Sequence, residues 1–474
     1  MIRHRAKIYT KSIIGKLILL AGDLSILILS FFIAYNLRGI VYDMGLLSIP
    51  NVPIVYFYQY WYLFLIHLFF LYIFKIYNIR FSIWNEAREI LKAITIATVF
   101  VFFILALLKI SEQVSRFIII FISIISIICI PALKSFLKFV LYRLGLWQAD
   151  ALIISNQNEG VDPYCQNLRD NWYIGYRPAY VITPYLIGNT SLIEYLTNER
   201  LQSIIKEYNI VLPILYKIDK DDFYKVFIKL DIFFDEIKLL PDMHSLFVNN
   251  ITIEDGGRNF LLNINNNLLR FHNRLIQYVF NKIFSIIIFI LVFPLLIFIG
   301  IAILIDSRGP MLYKAKRIGY KGRDFYIYKF RTMYKDADRN LDELLNSNHD
   351  LKKEFEESFK IKDDPRITSI GRILRKTSLD ELPQLLNVLK GEMNLVGPRP
   401  IVSKERNKYN DAFYELIKVK PGITGLWQIS GRNNVDYNKR IQLDLFFIKN
   451  WSLWMDVTIL VKTFFVVIRG EGAY

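Results

Sequence analysis

The sequence predicts a membrane protein of three parts: a four-helix transmembrane domain, a middle α/β domain, and a C-terminal α-rich domain with a re-entrant membrane helix. Three observations favour this fold class. Hydrophobic residues make up 53% of the chain, too many for an ordinary soluble protein. Long apolar stretches cluster at the N-terminus, and another follows after a more polar region with short strand-like runs. The predicted domains are 1–148, 149–265 and 266–474.

Four apolar stretches form the predicted membrane domain, from about 14 to 36, 54 to 76, 93 to 109 and 116 to 133. Each approaches the roughly 20 residues that span a bilayer core. Basic residues precede the first stretch, separate the second from the third, and follow the fourth. The positive-inside rule therefore places both ends of this domain in the cytoplasm. Asp23 lies within the first stretch, where either a functional site or a helix–helix hydrogen bond would explain it.

Three short apolar segments, ALIIS, YVIT and IVLPIL, are typical of buried strands and indicate the middle α/β domain. The first leads into NQNEG instead of the G-x-G-x-x-G that holds a dinucleotide pyrophosphate. We therefore expect a degenerate Rossmann-like domain with a structural or regulatory task and no bound cofactor.

A fifth apolar run, about 283–305, contains Pro294 and has basic residues on both sides. A simple span would place the strongly basic segment after it outside the cytoplasm, against the positive-inside rule. A helix that enters the inner leaflet, breaks at Pro294 and returns to the same face agrees with the length of the run, with the basic residues on both sides of it and with the proline inside it. A kinked span is the alternative.

The segment RKTSLDELPQLLNVLKG contains an adjacent acidic pair, Asp380 and Glu381. Leucines at helical spacing predict a helix that begins near 379 and stops at Gly391. A structural explanation is a capping box between Ser378 and Glu381. The functional alternative is phosphoryl transfer, for which the pair supplies a carboxylate nucleophile and a metal ligand, and Arg375 a nearby cation.

Three segments carry a resemblance to a known family: DSRGPMLYKAKRIGYKGRDFYIYKFRTM, DDPRITSIGRILRKTSLDELPQLLNVLKGEMNLVGPRP and KPGITGLWQISGR. They strongly resemble the bacterial sugar transferases, the monotopic phosphoglycosyl transferases, over about 270–474. The preceding spans and α/β domain make the chain similar to the long form of that family.

The resemblance implies a catalytic C-terminal domain in which Asp380 attacks the sugar-bearing phosphate of a UDP-hexose and expels UMP. Undecaprenyl phosphate then takes the hexose 1-phosphate, the first membrane step of O-antigen, capsule or exopolysaccharide synthesis. The resemblance further implies that Glu381 and Asp380 hold Mg2+, that Arg375 contacts phosphate, and that Pro294 breaks the re-entrant helix.

Other basic residues have two interpretations each. Lys329 and Arg331 in YKFRTM would meet either lipid headgroups or substrate phosphate, and the family match favours substrate. Arg399 in GPRP lies on a turn that is either purely structural or a phosphate clamp. Arg432 in SGR is predicted to bind phosphate or sugar nucleotide.

The chain departs from the family pattern near the fifth apolar run. Family members usually carry a basic pair and an aspartate at the start of that helix and a serine before its proline. The corresponding residues of this chain are Gln277, Tyr278, Asn281 and Phe293. We expect Lys282 and Arg274 to supply the positive charge and Asn281 to retain a hydrogen bond.

The partners that follow are a UDP-hexose, undecaprenyl phosphate and membrane lipid, with UDP-galactose preferred over UDP-glucose on the resemblance alone. The expected location is the bacterial inner membrane, with the catalytic domain on its cytoplasmic face, and a homodimer is expected. A non-catalytic scaffold for polysaccharide assembly is the competing class, against which the intact acidic pair argues. The net charge of +16 also suits a nucleic-acid-binding protein, but the basic residues lie beside apolar runs and no recognised nucleic-acid motif occurs.

Overall fold

The computed structural model describes residues 2–46, 61–107, 115–188, 190–240, 251–255, 260–264, 267–335, 337, 364–431 and 435–469. The chain divides into two compact units, Met1–Asp242 and Met243–Tyr474. The first unit contains both the N-terminal helices and the sheet that follows them. The three-domain division stays a prediction.

The first unit begins with four helices: α1 (Ile2–Asp43), α2 (Tyr62–Ile73), α3 (Ile83–Leu107) and α4 (Arg116–Arg143). Helices α1, α3 and α4 are long and apolar enough to cross a membrane. They fit the first, third and fourth predicted spans. Helix α2 is shorter, and residues 54–60 of the second predicted span lie outside the described residues.

Helices α1 and α4 pack closely against each other in an apolar core. A Cβ on Gly22 of α1 would lie 2.5 Å from Leu137 Cδ1 of α4, so a larger residue would require the Leu137 side chain to shift. Large apolar side chains elsewhere on the helices, such as Leu17, Leu29 and Phe103, stay exposed. Such exposure suits helices whose surroundings are hydrocarbon.

Two carboxylates and two ammonium groups are buried together among these helices. Lys134 Nζ lies 2.9 Å from Asp23 Oδ2, and the Tyr77 hydroxyl donates to the same oxygen at 2.5 Å. Lys138 pairs with Glu86. The charges balance, as buried charges must to avoid a large desolvation penalty. Asp23 therefore joins helices, which is the structural alternative of the two predicted for it.

Four parallel strands complete the first unit in the order β2-β1-β3-β4: β1 (Ala149–Ser155), β2 (Tyr176–Ile182), β3 (Leu212–Tyr216) and β4 (Lys238–Leu240). The connections contain α5 (Val161–Asp170), α6 (Pro184–Ile187), α7 (Leu192–Tyr195), α8 (Asn198–Glu207) and α9 (Lys220–Asp231). In register, Ile154 lies beside Ile182 and Leu215. Strand β3 is wholly buried and β1 nearly so, as in parallel sheets covered by helices. The three predicted strands are confirmed.

In the part of the second unit that the structure describes, the strands form three pairs. Two are antiparallel, β5 (Ile251–Asp255) with β6 (Phe260–Ile264) and β7 (Leu312–Ile318) with β8 (Asp324–Phe330). The third is parallel, β9 (Asn394–Val396) with β10 (Gly422–Thr424). The helices described are α10 (Phe271–Asp306), α11 (Ser369–Thr377), α12 (Leu385–Lys390), α13 (Arg406–Tyr409), α14 (Ala412–Leu416), α15 (Tyr437–Asn450) and α16 (Leu453–Arg469). Short 3-10 segments lie at Asn267–Leu269, Tyr320–Gly322, Leu379–Gln384 and Ser403–Glu405.

Helix α10 continues through Pro294 and contacts other elements of the second unit on both sides of that proline. Before it, Asn281 Oδ1 accepts the backbone N–H of Leu395 at 2.5 Å. After it, the helix joins a small buried apolar cluster: Ile299, Ile303, Phe330 and Leu374. Many large side chains of α10, including Leu291 and Phe298, remain exposed.

The residues that depart from the family pattern are accommodated in two ways. Gln277 and Asn281 are buried, and Gln277 Oε1 accepts a hydrogen bond from Asn394 at 3.1 Å. Tyr278 and Phe293 are about half exposed, at 50% and 48%. The hydrogen bond expected of Asn281 is thus confirmed. Lys282 donates to the carbonyl of Leu389, and Arg274 to that of Leu268.

Candidate active site

The acidic pair lies on the connection between α11 and α12. Helix α11 ends at Ser378, whose φ of 56° is left-handed. The 3-10 segment Leu379–Gln384 then carries Asp380 and Glu381 before α12 begins. This abrupt turn places both carboxylates on one short, well-packed stretch of backbone.

The capping box predicted for Ser378 and Glu381 is wrong. The Ser378 side chain makes no capping hydrogen bond, because its left-handed backbone is not the extended conformation of an N-cap. Its N–H instead donates to the carbonyl of Arg375 at 3.2 Å and closes α11. The helix predicted from near 379 begins there as a 3-10 segment, becomes an α-helix at Leu385 and stops at Gly391 as predicted. Helix capping therefore does not explain the acidic pair.

Strand β8 brings a lysine to the acidic pair. Lys329 Nζ lies 2.6 Å from Glu381 Oε1 and 4.0 Å from Asp380 Oδ2. Ile327 and Phe330 of the same strand are buried, so the packing of β8 fixes the backbone position of Lys329. A single ammonium group thus reduces the repulsion between two adjacent carboxylates.

The Asp380 carboxyl has a perturbed pKa. The net result is a pKa raised to about 6, mainly by burial and also by the neighbouring Glu381 charge. Lys329 and Arg375 act in the opposite direction. Asp380 is still ionised at neutral pH, and its side chain keeps 14% exposure. A poorly solvated carboxylate with cations beside it suits a nucleophile at phosphorus.

Arg375 comes from the last turn of α11. Its Nε donates to Thr332 Oγ1 at 2.9 Å, which holds the guanidinium near Asp380. Burial lowers the pKa of Arg375, while the charges of Asp380 and Asp364 raise it. Asp364 in turn accepts hydrogen bonds from Arg366 at 2.9 and 2.7 Å, so these two residues form a structural turn, and Asp363 lies outside the described residues.

Arg331 is held by the end of α10. Its guanidinium donates to the Ser307 carbonyl at 2.6 Å, to Ser307 Oγ at 2.8 Å and to the Arg308 carbonyl at 3.1 Å. The residue is only 7% exposed. Arg331 therefore ties β8 to the residues that follow α10.

Two glycine-containing turns pack backbone against backbone and position Arg399. Gly422 N–H donates to the Pro398 carbonyl at 2.8 Å, and a Cβ on Gly422 would lie 2.1 Å from the Gly397 nitrogen. GPRP and KPGITG therefore form one rigid structure. The Arg399 guanidinium lies 5.8 Å from the centre of the Trp427 ring.

A cavity of about 1060 Å³ brings the predicted residues together. It is lined by Lys329, Arg331, Arg375, Asp380, Glu381 and Arg399. Arg432 lies outside the described residues. Six of the residues predicted to bind or react, spread over 71 positions of sequence from 329 to 399, thus share one space.

Arg317, Thr332 and Trp427 are among the residues of this cavity that sequence reasoning missed. Burial and the nearby charge of Arg399 lower the pKa of Arg317, so two arginines add to the positive field on one wall. Arg317 lies in the basic segment that the sequence shows, but only the β7–β8 hairpin distinguishes it from its exposed neighbours.

The acidic pair also bears on metal binding. Among the described residues, no three His, Cys, Asp or Glu side chains form a metal cluster. Asp380 and Glu381 both line the cavity, with exposures of 14% and 29%. Mg2+ is commonly held by one or two carboxylates together with substrate phosphates and water. The pair therefore fits Mg2+ that binds with a phosphorylated substrate.

Comparison with known proteins identifies relatives of this chain. Residues 272–470 match the bacterial sugar transferase family. An uncharacterized sugar transferase of Haemophilus influenzae is 34% identical over 409 residues, which cover 84% of this chain and 85% of the relative. The undecaprenyl-phosphate galactose phosphotransferase of Salmonella typhimurium is also 34% identical over 409 residues, 84% of each chain.

A third relative shares less of its length. The UDP-glucose:undecaprenyl-phosphate glucose-1-phosphate transferase of Xanthomonas campestris is 32% identical over 303 residues, 61% of this chain and 58% of the relative. The first two alignments extend through most of both chains, beyond the region that contains the cavity. This chain belongs to the bacterial sugar transferase family.

Proposed function

We propose that the protein is a membrane enzyme that transfers hexose 1-phosphate from a UDP-hexose to undecaprenyl phosphate. The observation that carries the proposal is the partly buried acidic pair, Asp380 and Glu381, which shares one cavity with Lys329, Arg375 and Arg399. The names of the Salmonella typhimurium and Xanthomonas campestris relatives support the lipid acceptor and the class of sugar donor.

The reaction runs in two displacements at the same phosphorus. A carboxylate oxygen of Asp380 attacks the sugar-bearing phosphorus of the donor, and the bond to the bridging oxygen breaks. UMP leaves with that bonding pair. A phosphate oxygen of undecaprenyl phosphate then attacks the phosphorus and displaces the Asp380 carboxylate. The product is a hexosyl diphosphate lipid, and Asp380 is regenerated.

The cations of the cavity have separate tasks in this proposal. Arg375, held by Thr332, faces the phosphoryl oxygens as negative charge is redistributed. Arg399 and Arg317 bind the nucleotide phosphate, because their guanidinium groups raise the positive field of one wall. Lys329 favours the ionised form of Asp380. Arg331 joins the end of β8 to the residues after α10 through its hydrogen bonds and lines the cavity. Arg432 is a further candidate for binding the nucleotide.

We propose Mg2+ as the cofactor, held by Glu381 and Asp380 together with the donor diphosphate. When bound, Mg2+ neutralises the diphosphate charge and makes UMP a better leaving group. The protein's own contribution is to present the two carboxylates side by side.

The re-entrant arrangement of α10 remains part of the proposal, and two facts support it. A 36-residue helix is about 54 Å long, well over the roughly 30 Å of a bilayer core. The N-terminal half of the helix contacts Leu395 through Asn281, and the C-terminal half packs beside Phe330 through Ile303. Both halves therefore contact the catalytic part of the chain. A bend at Pro294 would keep both contacts at the cytoplasmic face of the inner membrane, where a soluble donor meets a lipid acceptor.

The proposed sugar is galactose, as in the name of the Salmonella typhimurium relative. Glucose is the second candidate because the Xanthomonas campestris relative is named for it. The test is transfer of radiolabelled sugar from UDP-galactose and UDP-glucose, in parallel, to a lipid-extractable product in the presence of undecaprenyl phosphate and Mg2+. We expect label from UDP-galactose. Transfer from UDP-glucose alone would correct the sugar, and no transfer from any UDP-hexose would favour the scaffold.

A further inference from the structure

The catalytic cavity has an apolar wall that the chemistry described above does not use. Five residues of α16 line the cavity, Val466 and a set of four: Leu460, Thr463, Phe464 and Val467. Within the set of four, the spacing of three, four and seven residues places the side chains on one helix face. We call this face the α16 stripe. Ile288 of α10 lines the same cavity.

The α16 stripe is firmly attached at one end and open at the other. Ile459 is 1% exposed, and the Thr463 hydroxyl lies 2.7 Å from that of Thr424 in β10. Phe464, one turn further from the start of α16 than Leu460, is 63% exposed although it lines the cavity. A large exposed aromatic ring at a cavity wall offers apolar area that a ligand would bury favourably.

The apolar wall continues onto the most hydrophobic helix among the candidate spans of the described chain. That helix is α10, whose most apolar stretch has a mean hydropathy of 3.3. Next to Ile288, which lines the cavity, Ile287 is 48% exposed, and Leu291 is 74% exposed. An apolar path therefore leads from the cavity to a surface that suits hydrocarbon.

The two substrates of the proposed reaction differ in what they require of this wall. A nucleotide sugar has a charged diphosphate and polar sugars, so it gains little from apolar side chains. The lipid acceptor must bring its phosphate to Asp380 while its chain stays in an apolar environment. The cavity provides both surfaces, with Lys329 and Arg375 on the polar side and the α16 stripe on the apolar side.

We infer that the isoprenoid chain of the lipid phosphate acceptor lies along the α16 stripe, with Phe464 at the entrance. The inference rests on the proposed function and adds a binding site to it. It makes Phe464 a residue that selects long-chain acceptors.

The test compares Phe464→Ser with Phe465→Ser, using undecaprenyl phosphate and a short-chain isoprenyl phosphate as acceptors. Phe465 is a matched control, because it is the next residue, is 52% exposed and does not line the cavity. The measured quantity is the ratio of kcat/KM for the long acceptor to that for the short one. We expect this ratio to fall roughly tenfold in Phe464→Ser, since a phenyl contact with the chain is lost, and to stay near the wild-type ratio in Phe465→Ser.

An unchanged ratio in Phe464→Ser would overturn the inference, and so would an equal fall in both variants, which would indicate general loss of membrane affinity. Release of UMP without any acceptor is measured in every variant as a check of folding. No such release from the wild type would mean that the proposed function fails. Normal release with an unchanged ratio would mean that only the lipid-binding inference fails.

Discussion

The Lys329 ammonium group lies 2.6 Å from the carboxylate of Glu381 and 4.0 Å from that of Asp380. Lys329 and Glu381 act on the pKa of Asp380 in opposite directions, the lysine lowering it and the glutamate raising it. Burial and Glu381 raise the pKa, Lys329 and Arg375 lower it, and the net pKa of Asp380 is about 6. If Asp380 attacks as the ionised carboxylate, the rate must fall as the pH drops through this value.

Replacing Lys329 with methionine should move the acidic limb of the pH–rate profile above pH 6. The positive charge that favours ionised Asp380 is lost, so the pKa of Asp380 rises. We also expect kcat/KM at neutral pH to fall roughly 100-fold, a usual loss for one charge-stabilising group. The control is Lys390→Met, because Lys390 is exposed, bonds the Tyr328 hydroxyl at 2.7 Å and does not line the cavity. A Lys329→Met profile with its limb unmoved would contradict this assignment.

Replacing Glu381 with glutamine should move the same limb in the other direction, below pH 6. Removing the neighbouring negative charge makes ionised Asp380 easier to form. The plateau rate should fall as well, since a proposed Mg2+ ligand is lost. Rates of UMP release measured from pH 4.5 to 8 at about half-unit steps would show both effects. An acidic limb that moves to higher pH, or that does not move, would argue against direct charge coupling between the two carboxylates.

Replacing Asp456 with asparagine should stabilise the protein at high pH. Asp456 lies beside Trp451 and Gln277, and burial raises its pKa to about 8. The folded protein therefore holds a proton that the unfolded chain releases near its ordinary pKa of 3.8. Stability is lost as the pH rises toward 8, and the neutral amide avoids that loss. The Tm of Asp456→Asn should exceed that of the wild type at pH 8 and approach it near pH 4, whereas the exposed Asp411→Asn should give no such trend.

Replacing Gly422 with alanine should destabilise the catalytic unit by about 3 kcal/mol or more. The new Cβ would lie 2.1 Å from the Gly397 nitrogen, and backbone atoms cannot move aside cheaply. Gly300→Ala is the matched control, because its Cβ would meet only the flexible Met311 side chain, at 3.1 Å. Thermal unfolding in detergent measures both, and equal Tm values for the two variants would show that the β9–β10 approach is not rigid.

The hydrophobic pattern was sufficient to locate the apolar helices and the three buried strands, because burial and periodicity act locally. The residues themselves made the acidic pair, Arg375 and Arg399 candidates, each beside a structural alternative, and the family resemblance favoured the functional interpretation of Lys329 and Arg331. Their mutual distances depend on the β7–β8 hairpin, which the sequence alone did not indicate. The re-entrant bend, the bound Mg2+, the homodimer and the sugar preference stay predictions.

One misjudged feature of the site depends on tertiary structure. The left-handed backbone of Ser378 cannot be read from a serine followed by an acidic pair, since the same letters normally favour a capping box. The backbone hydrogen bond that closes α11 overrides this local preference. Arg331 stays a predicted phosphate ligand, because it lines the cavity while its guanidinium also donates to Ser307, 24 residues earlier in the chain.

The most direct test of the central claim is a single-turnover experiment without lipid acceptor. Purified wild-type protein is mixed with UDP-galactose and Mg2+, and both UMP and the mass of the protein are measured, with Asp380→Asn in parallel. The account predicts a burst of UMP matched by a hexose-phosphate adduct on the peptide that contains Asp380, and neither in the variant. UMP release only when acceptor is present and without an adduct, or equal release by Asp380→Asn, would contradict it.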